Sequence, residues 1–204
     1  MTGRTAGVVL AAGAGRRFGG PKAPVVVNGE RLVDHAVRTL RDGGCDPIVV
    51  VLGAWVGEVA TAQVVVNAHW ENGMGSLLRH GISALAAHPD VDRVVVSLVD
   101  LPGLTGVAVR RLVEDGGDIG ACTYHGVRGH PVVFARSHWP GVVTGAAGDK
   151  GARDYLRIHA AQVVLVEVGD VADGTDLDFA REGVEVGTDR DLPVGGRRGA
   201  RGAR

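Results

Sequence analysis

The chain has 204 residues, 45% of them hydrophobic, and a formal net charge of −1, so it has no overall basic field that would recruit nucleic acid or an anionic membrane. Cys45 and Cys122 lack CxxC spacing, which argues against a zinc site or a disulfide scaffold. No apolar run approaches the ~18 residues that cross a bilayer, and the N-terminus lacks a signal-peptide layout, so we expect a cytoplasmic protein.

Short apolar runs alternate with amphipathic segments along the chain. The runs predict strands buried on both faces at residues 7–11, 48–52, 64–66, 94–98, 119–124, 132–134 and 163–168. Apolar residues at three- and four-residue spacing predict helices at residues 32–41, 76–87, 105–114 and 152–159. Regular alternation up to about residue 115 is typical of parallel βαβ units.

The second half of the chain is less regular. Closely spaced runs around residues 120–134 are compatible with an antiparallel hairpin added to the parallel sheet. The sequence therefore predicts one three-layer α/β/α domain at residues 1–191, with a Rossmann-like, mostly parallel mixed sheet. Residues 192–204 are rich in Gly and Arg without apolar periodicity, and we expect a disordered tail there.

The first predicted strand leads into a glycine-rich turn, Leu10-Ala-Ala-Gly-Ala-Gly-Arg-Arg-Phe-Gly-Gly-Pro-Lys22. Glycines let a backbone approach phosphate oxygens, and Arg and Lys add charge-assisted hydrogen bonds. Phe18 breaks the dinucleotide fingerprint G-x-G-x-x-G, while Pro21 and Ala23 break a Walker A loop. A triphosphate held by Arg16 and Lys22 fits this turn; a plain loop with solvated arginines is the alternative.

Asp100 ends the apolar stretch of residues 94–102, Val-Val-Val-Ser-Leu-Val-Asp-Leu-Pro. An isolated carboxylate at the end of a buried strand is costly unless it is paired or binds a cation. Mg²⁺ prefers oxygen ligands and usually keeps waters and substrate phosphates as well. Asp100 is therefore a candidate metal ligand, and the alternative is a residue that caps a turn.

The turn resembles the L-A-A-G-x-G-x-R-x-G-x-x-K motif of nucleotidyltransferases, particularly the molybdenum cofactor cytidylyltransferases. Five further segments match this family in order: residues 28–36, Glu71-Asn-Gly-Met-Gly-Ser-Leu-Leu-Arg-His-Gly81, residues 94–102, Gly129-His-Pro-Val-Val-Phe134 and Gly148-Asp-Lys-Gly-Ala-Arg153. Together the matches span about residues 7–182. The resemblance implies the nucleotidyltransferase type of α/β fold.

The resemblance also implies a set of site residues. Arg16, Lys22 and Asp100 would be catalytic, and Asp100 would hold Mg²⁺ with Asp176 or Asp178, which match the family's acidic ending. That ending is altered here, because Phe179 and Ala180 stand where the family has Thr and Pro. The nucleotide and its acceptor would contact Leu10, Ala11, Ala12, Gly13, Ala14, Gly15, Arg16, Lys22, Gly73, Ser76 and His130.

The implied reaction is transfer of a nucleoside monophosphate from an NTP to a phosphorylated small molecule, with release of pyrophosphate. Leu-Ala-Ala-Gly favours CTP over GTP, since guanylyl-transferring relatives tend to have Leu-Ala-Gly-Gly. Molybdopterin is the acceptor implied by the resemblance, with handover to a molybdoenzyme or its chaperone. Two alternatives stay open: a nicotinamide-dependent reductase of the nicotine-blue type, and a non-catalytic nucleotide-binding module suggested by the altered acidic ending.

Overall fold

The computed structural model describes residues 3–177 and 186–187, which contain ten strands and five α-helices. The strands are β1 (Arg4–Leu10), β2 (Val26–Val27), β3 (Glu30–Arg31), β4 (Ile48–Leu52), β5 (Gln63–Val66), β6 (Val91–Leu98), β7 (Ile119–Tyr124), β8 (Val127–Ala135), β9 (Val163–Glu167) and β10 (Val186–Gly187). The α-helices are α1 (Leu32–Asp42), α2 (Met74–Ala84), α3 (Gly106–Asp115), α4 (Trp139–Gly145) and α5 (Arg153–Ile158). The boundary predicted at residue 191 and the predicted tail lie outside the described residues.

The main sheet has seven strands in the order β5-β4-β1-β6-β8-β7-β9. β8 pairs antiparallel with both β6 and β7, and every other pair in this sheet is parallel. The mostly parallel mixed sheet and the predicted hairpin of β7 and β8 are therefore confirmed. A second, small antiparallel sheet has the order β10-β2-β3.

Helices cover both faces of the main sheet, which confirms the three-layer architecture. Alternate side chains of β1 point to opposite faces: Val9 packs in the cluster that contains α1 and α3, and Val8 packs in the cluster that contains α2, α4 and α5. Burying each of these aliphatic side chains contributes about 1.5–3 kcal/mol to folding. The central strands are thus a rigid support for the loops that follow their carboxyl ends.

The two edge strands differ from the prediction of strands buried on both faces. Val66 of β5 is 50% exposed, and Leu165 of β9 is 58% exposed. Each strand has a neighbour on one side only in the described sheet, so water reaches part of its surface. An apolar run alone carries no information about whether its strand is central or at an edge.

A segment after β9 returns the chain to the end of β6. The Asp173 amide donates to the Gly103 carbonyl at 3.0 Å, and the Leu177 amide donates to the Asp100 carbonyl at 2.9 Å. Asp176 is therefore held beside Asp100 by the backbone. None of the helices in residues 3–177 combines the length and the apolar character that a bilayer span requires.

Candidate active site

A cleft runs along the carboxyl edge of the sheet and divides into three connected compartments. The turn compartment, about 310 Å³, is lined by residues 13–16, Trp70, Glu71, Gly73, Met74, Leu77 and Asp149. The central compartment, about 170 Å³, is lined by Leu10, Gly13, Gly15, Lys22, Met74, Leu77, Leu98, Val99 and Asp100. The distal compartment, about 300 Å³, includes Leu10, Met74, Leu98, Arg128, His130, Arg153 and Asp176 in its lining. Met74 lines all three compartments.

The glycine-rich turn after β1 closes on the carbonyl of Gly15. That carbonyl accepts the backbone amides of Phe18, Gly19 and Gly20 at 2.9, 2.9 and 3.2 Å. Gly15 has φ = +57°, and a Cβ added there would lie 1.9 Å from the Gly20 carbonyl oxygen. Only glycine fits this position, because the turn is both left-handed and too tight for a side chain.

Lys22 and Asp100 meet across the central compartment. The Lys22 Nζ lies 2.7 Å from the Asp100 Oδ2, and the two side chains are only 13% and 18% exposed. The turn supplies the lysine and the end of β6 supplies the aspartate, so two segments that are 78 residues apart in sequence are joined here. The ammonium group shows that a cation fits against this carboxylate.

The second acidic segment is only partly within the described residues. Asp176 is exposed and lines the distal compartment, next to Asp100, whereas Asp178 lies outside the described residues. Asp173 instead accepts the Thr175 amide at 2.8 Å and so stabilises its own loop. Within residues 3–177, no three His, Cys, Asp or Glu side chains are grouped closely enough to hold a metal.

The other residues predicted for the nucleotide occupy different environments. Gly13, Ala14, Gly15 and Arg16 line the turn compartment, and Arg16 is exposed. Leu10 lines the central compartment, but Ala11 and Ala12 are buried, with 2% and 1% exposure. The Ala11 amide donates to the Val51 carbonyl, and the Ala12 carbonyl accepts the Ala54 amide. The structure thus brings residues 13–16 to the cleft and places the two alanines in the protein interior.

Gly73 and Ser76 both belong to the start of α2. Gly73, with φ = +86°, precedes the helix and lines the turn compartment. A Cβ there would lie 2.5 Å from the Asp149 Oδ1 and 2.6 Å from the Gly148 carbonyl carbon, so the glycine also lets residues 148–149 pack closely. Ser76 is buried, and its Oγ accepts a hydrogen bond from the Asn67 Nδ2 at 2.8 Å. None of the three compartments is lined by Ser76.

His130 lies in β8 and lines the distal compartment. Burial lowers the pKa of His130; the nearby charges of Arg128 and Arg153 act in the same direction, whereas the Val96 backbone and Asp100 oppose it. The surroundings of His130 therefore favour its neutral form, and its buried Nδ1 lacks a hydrogen-bond partner among residues 3–177.

Several cleft residues were not predicted from the sequence as site residues. Met74, Asp149, Arg128 and Arg153 all line the cleft. Each of these four residues lies inside or next to a motif that carries the family resemblance. Their position in the sequence relative to these motifs could therefore have identified them as candidate site residues. The resemblance places His130 and Lys150 at the acceptor half of the cleft, and the fold brings the segments that contain them, residues 128–130 and 149–153, to one compartment.

The chain is similar to known proteins along most of its length. A sequence model described as the MobA-like NTP transferase domain matches residues 7–164. A protein of Paenarthrobacter nicotinovorans named nicotine blue oxidoreductase is 39% identical over 192 residues, which cover 86% of this chain and 93% of that protein.

Two solved structures extend the comparison. A homologue of Mycobacterium tuberculosis Rv0371c from Mycobacterium sp. strain JC1 has a TM-score of 0.71 and 27% identity, and the match covers 88% of this chain and 92% of that one. Rv0371c of M. tuberculosis H37Rv in complex with manganese has a TM-score of 0.63 and 25% identity, with 82% and 88% of the two chains covered.

Proposed function

This chain belongs to the family of MobA-like NTP transferase domains, and we propose that, as a nucleotidyltransferase, it transfers CMP from CTP to the phosphate of a small acceptor and releases pyrophosphate. The observation that carries the proposal is the Lys22–Asp100 contact of 2.7 Å in the central compartment. The contact supports the proposal because an ammonium group, which can bind phosphate, and a carboxylate, which can bind a metal ion, lie together between the glycine turn and the distal compartment.

The two substrates would occupy different compartments of the cleft. The turn compartment combines residues 13–16, which can bind phosphate, with Glu71, whose carboxylate can accept hydrogen bonds from a nucleoside. The triphosphate would therefore run from the nucleoside along residues 13–16 towards Lys22. The acceptor would occupy the distal compartment, on the other side of Asp100.

The reaction needs no strong base from the protein. A phosphate monoester has a second pKa of about 6, so its oxygen is already ionised near pH 7. That oxygen forms a bond to the α-phosphorus of CTP, and the bond from this phosphorus to the bridging oxygen breaks. The bridging oxygen keeps the electron pair and leaves as part of pyrophosphate. Lys22, Arg16 and the backbone amides of residues 13–15 would neutralise and position the reacting phosphates.

A divalent cation, with Mg²⁺ proposed, fits the residues at Asp100. The carboxylate already accommodates an ammonium group at 2.7 Å, and Asp176 supplies a second carboxylate nearby. When bound, the ion would supply charge neutralisation at the phosphate oxygens. Whether Asp176 or Asp178 completes the site is part of the proposal, and the manganese complex of Rv0371c supports a divalent ion.

The two proposed substrates, CTP and molybdopterin, are inferred from the resemblance to molybdenum cofactor cytidylyltransferases. CTP is favoured because of the Leu-Ala-Ala-Gly sequence at residues 10–13, and molybdopterin is the proposed acceptor. Since Ala12 is buried, its methyl group would act on the base by shaping the backbone of the turn rather than by direct contact.

A thermal-shift series with CTP, GTP, ATP, UTP and NADPH, each with and without Mg²⁺, tests the proposal. A ligand at about 100 times its Kd stabilises the folded protein by about 2.7 kcal/mol, which corresponds to about 5–11 °C for a chain of this size. We expect the largest shift with CTP and Mg²⁺. The absence of a shift with every NTP would reject the proposal.

Asp100→Asn tests the role of the metal carboxylate. With CTP, Mg²⁺ and molybdopterin, we expect pyrophosphate release to fall at least about 100-fold. Asp115→Asn, at the end of α3, is the matched control and should retain activity. Near-normal turnover by Asp100→Asn would remove Asp100 from the mechanism, and binding of CTP without turnover in the wild-type protein would favour a non-catalytic module.

A second candidate function is reduction of a quinone-like pigment with a nicotinamide cofactor. The observation in its favour is the 39% identity with the protein named nicotine blue oxidoreductase. The broken dinucleotide fingerprint at Phe18 counts against it. Oxidation of NADPH in the presence of a quinone acceptor, together with a thermal shift for NADPH but not for CTP, would replace the transferase proposal with this one.

A further inference from the structure

Residues 168–177, which we call the return segment, lead from β9 back to the end of β6 and bring Asp176 beside Asp100. Hydrogen bonds fix the backbone of this segment to the end of β6 at residues 173 and 177, and the Thr105 hydroxyl donates to the Val171 carbonyl at 3.1 Å. Residues 174–176 lie between the last two of these anchors. The contacts of this short stretch therefore decide where the Asp176 carboxylate lies.

The aromatic ring of Tyr124, the last residue of β7, packs against this stretch. A Cβ added at Gly174 would overlap the ring carbons Cδ2 and Cε2, so the return segment contacts the ring closely because Gly174 has no side chain. The same ring lies near Gly129, where an added Cβ would be 3.1 Å from the Cε2. Tyr124 thus contacts both the return segment and the beginning of β8.

The hydroxyl group of Tyr124 fixes the orientation of the ring. It donates a hydrogen bond to the His130 carbonyl at 2.6 Å. Burial raises the pKa of Tyr124, and the nearby carboxylates of Asp173 and Asp176 raise it further, so the hydroxyl remains protonated and a donor near pH 7. The effect of Asp176 also places its carboxylate near the phenol.

The return segment needs such a support because of its charge. Two ionised carboxylates at one site repel each other, so Asp176 would tend to move away from Asp100 whenever no cation lies between them. Tyr124 packs against the hydrophobic cluster that contains α1 and α3, and it is also held by its hydrogen bond. Its ring is therefore a rigid surface against which the acidic segment is kept in place.

We infer that Tyr124 is a positioning residue of the proposed metal site, in which its ring supports Gly174 and so holds the Asp176 carboxylate beside Asp100 before the ion binds. This inference rests on the proposed function, because it assumes a divalent ion at Asp100. Within residues 3–177, Tyr124 is not part of the lining of the three compartments, so it acts through the return segment and not on the substrates.

The affinity for Mn²⁺, measured by electron paramagnetic resonance of the free ion, tests this role without turnover. The parent protein is full-length Lys22→Met, which lacks the ammonium group that lies 2.7 Å from the Asp100 Oδ2. In this parent, we expect Gly174→Ala to weaken Mn²⁺ binding about 10-fold, because its methyl group displaces the return segment from the ring. Tyr124→Ala should weaken binding similarly, whereas Tyr124→Phe keeps the ring and should stay within about threefold of the parent.

The other tyrosine of the chain provides a matched control. Tyr155 packs on Gly141, where an added Cβ would lie 2.6 Å from the Tyr155 Cε2, and its hydroxyl lies 2.9 Å from the His138 Nδ1. This pair joins α4 and α5 and is not part of the lining of the cleft that residues 3–177 form. Gly141→Ala and Tyr155→Ala should lower the melting temperature and leave Mn²⁺ affinity unchanged.

The dependence on Asp176 separates positioning from a general loss of structure. Asp176→Asn should itself weaken Mn²⁺ binding, and Gly174→Ala should cause no further loss in that variant. Three results would each overturn the inference: no Mn²⁺ binding by the parent, an effect of Gly174→Ala that is the same with and without the Asp176 carboxylate, or an equal loss in Gly141→Ala. The thermal shift of the wild-type protein with CTP and Mg²⁺ tests the proposed function separately from these titrations.

Discussion

Lys22 is expected to act as a substitute cation for the metal before the nucleotide arrives. At the observed 2.7 Å, two unit charges attract each other by about 6 kcal/mol at an effective dielectric constant of about 20, and desolvation offsets much of this. Removing one partner of a fully buried pair costs about 3–5 kcal/mol. Because the two side chains are 13% and 18% exposed, we expect Lys22→Met to destabilise the metal-free protein by about 2–3 kcal/mol.

The metal should reverse this loss. In Lys22→Met the Asp100 carboxylate has lost this ammonium partner, so Mn²⁺ alone should stabilise the variant but have little effect on the wild-type protein. Urea unfolding with and without MnCl₂ measures the stabilisation, and electron paramagnetic resonance of free Mn²⁺ measures the affinity. The double variant Lys22→Met with Asp100→Asn is the control, and it should not respond to Mn²⁺.

The reasoning has a clear point of failure. If Lys22→Met and wild-type protein bind Mn²⁺ equally, the lysine does not compete with the metal for Asp100. If CTP affinity in the presence of Mg²⁺ also stays unchanged in Lys22→Met, the lysine does not contact the triphosphate either.

Three other substitutions or conditions test separate features. Gly15→Ala should cost at least about 1–2 kcal/mol and weaken CTP binding, because alanine at φ = +57° is strained; unchanged urea midpoints and titrations would contradict this. Ser76→Ala should cost about 1–3 kcal/mol, because it leaves the buried Asn67 Nδ2 without an acceptor, and CTP affinity should stay within about twofold if Ser76 is structural. Hydrogen bonds from the Gly126, Gly169 and His125 amides and the Thr123 hydroxyl lower the pKa of Glu167 from 4.5 to about 2. Its contribution to stability should therefore be present above about pH 4.5 and be lost as the pH falls towards 2, and a Glu167→Gln variant should lack this pH dependence in unfolding experiments.

Much of the fold could be predicted because its elements have simple patterns. The valine-rich runs of β4 and β6 are apolar throughout because both faces of these strands are buried. Helices α1 and α3 bury one face each, so their apolar residues recur at three- and four-residue spacing. Both patterns can be recognised in the sequence. Helix α4 was missed, since Pro140 and Gly141 at its start are poor indicators of a helix of seven residues. The small sheet was missed because two-residue strands have no period, and because β10 pairs with β2 from the other end of the chain.

Candidate site residues could be predicted only where the residue type suits a chemical role and the residue stands in a recognisable local sequence pattern. Gly15 and Lys22 stand in one motif, and Asp100 ends an apolar strand, so their types and positions indicated a phosphate and a cation. Ser76 could not be assigned from the sequence, because its burial against Asn67 depends on the packing of α2 against β5. Arg128 and Arg153 become meaningful only when two distant segments converge on one cavity.

Because β8 runs in the reverse direction, the two halves of the cleft are formed by different, successive parts of the sequence. Since β8 runs antiparallel to β6 and β7, it begins at the edge of the sheet where those two strands end. The wall of the distal compartment therefore comes largely from residues 128–156, which follow the glycine turn and Asp100 in the sequence. Under the proposed function, mutations in residues 128–156 would change which acceptor binds and would leave the glycine turn and Asp100 unaltered. A short, contiguous part of the coding sequence would then determine the choice of acceptor.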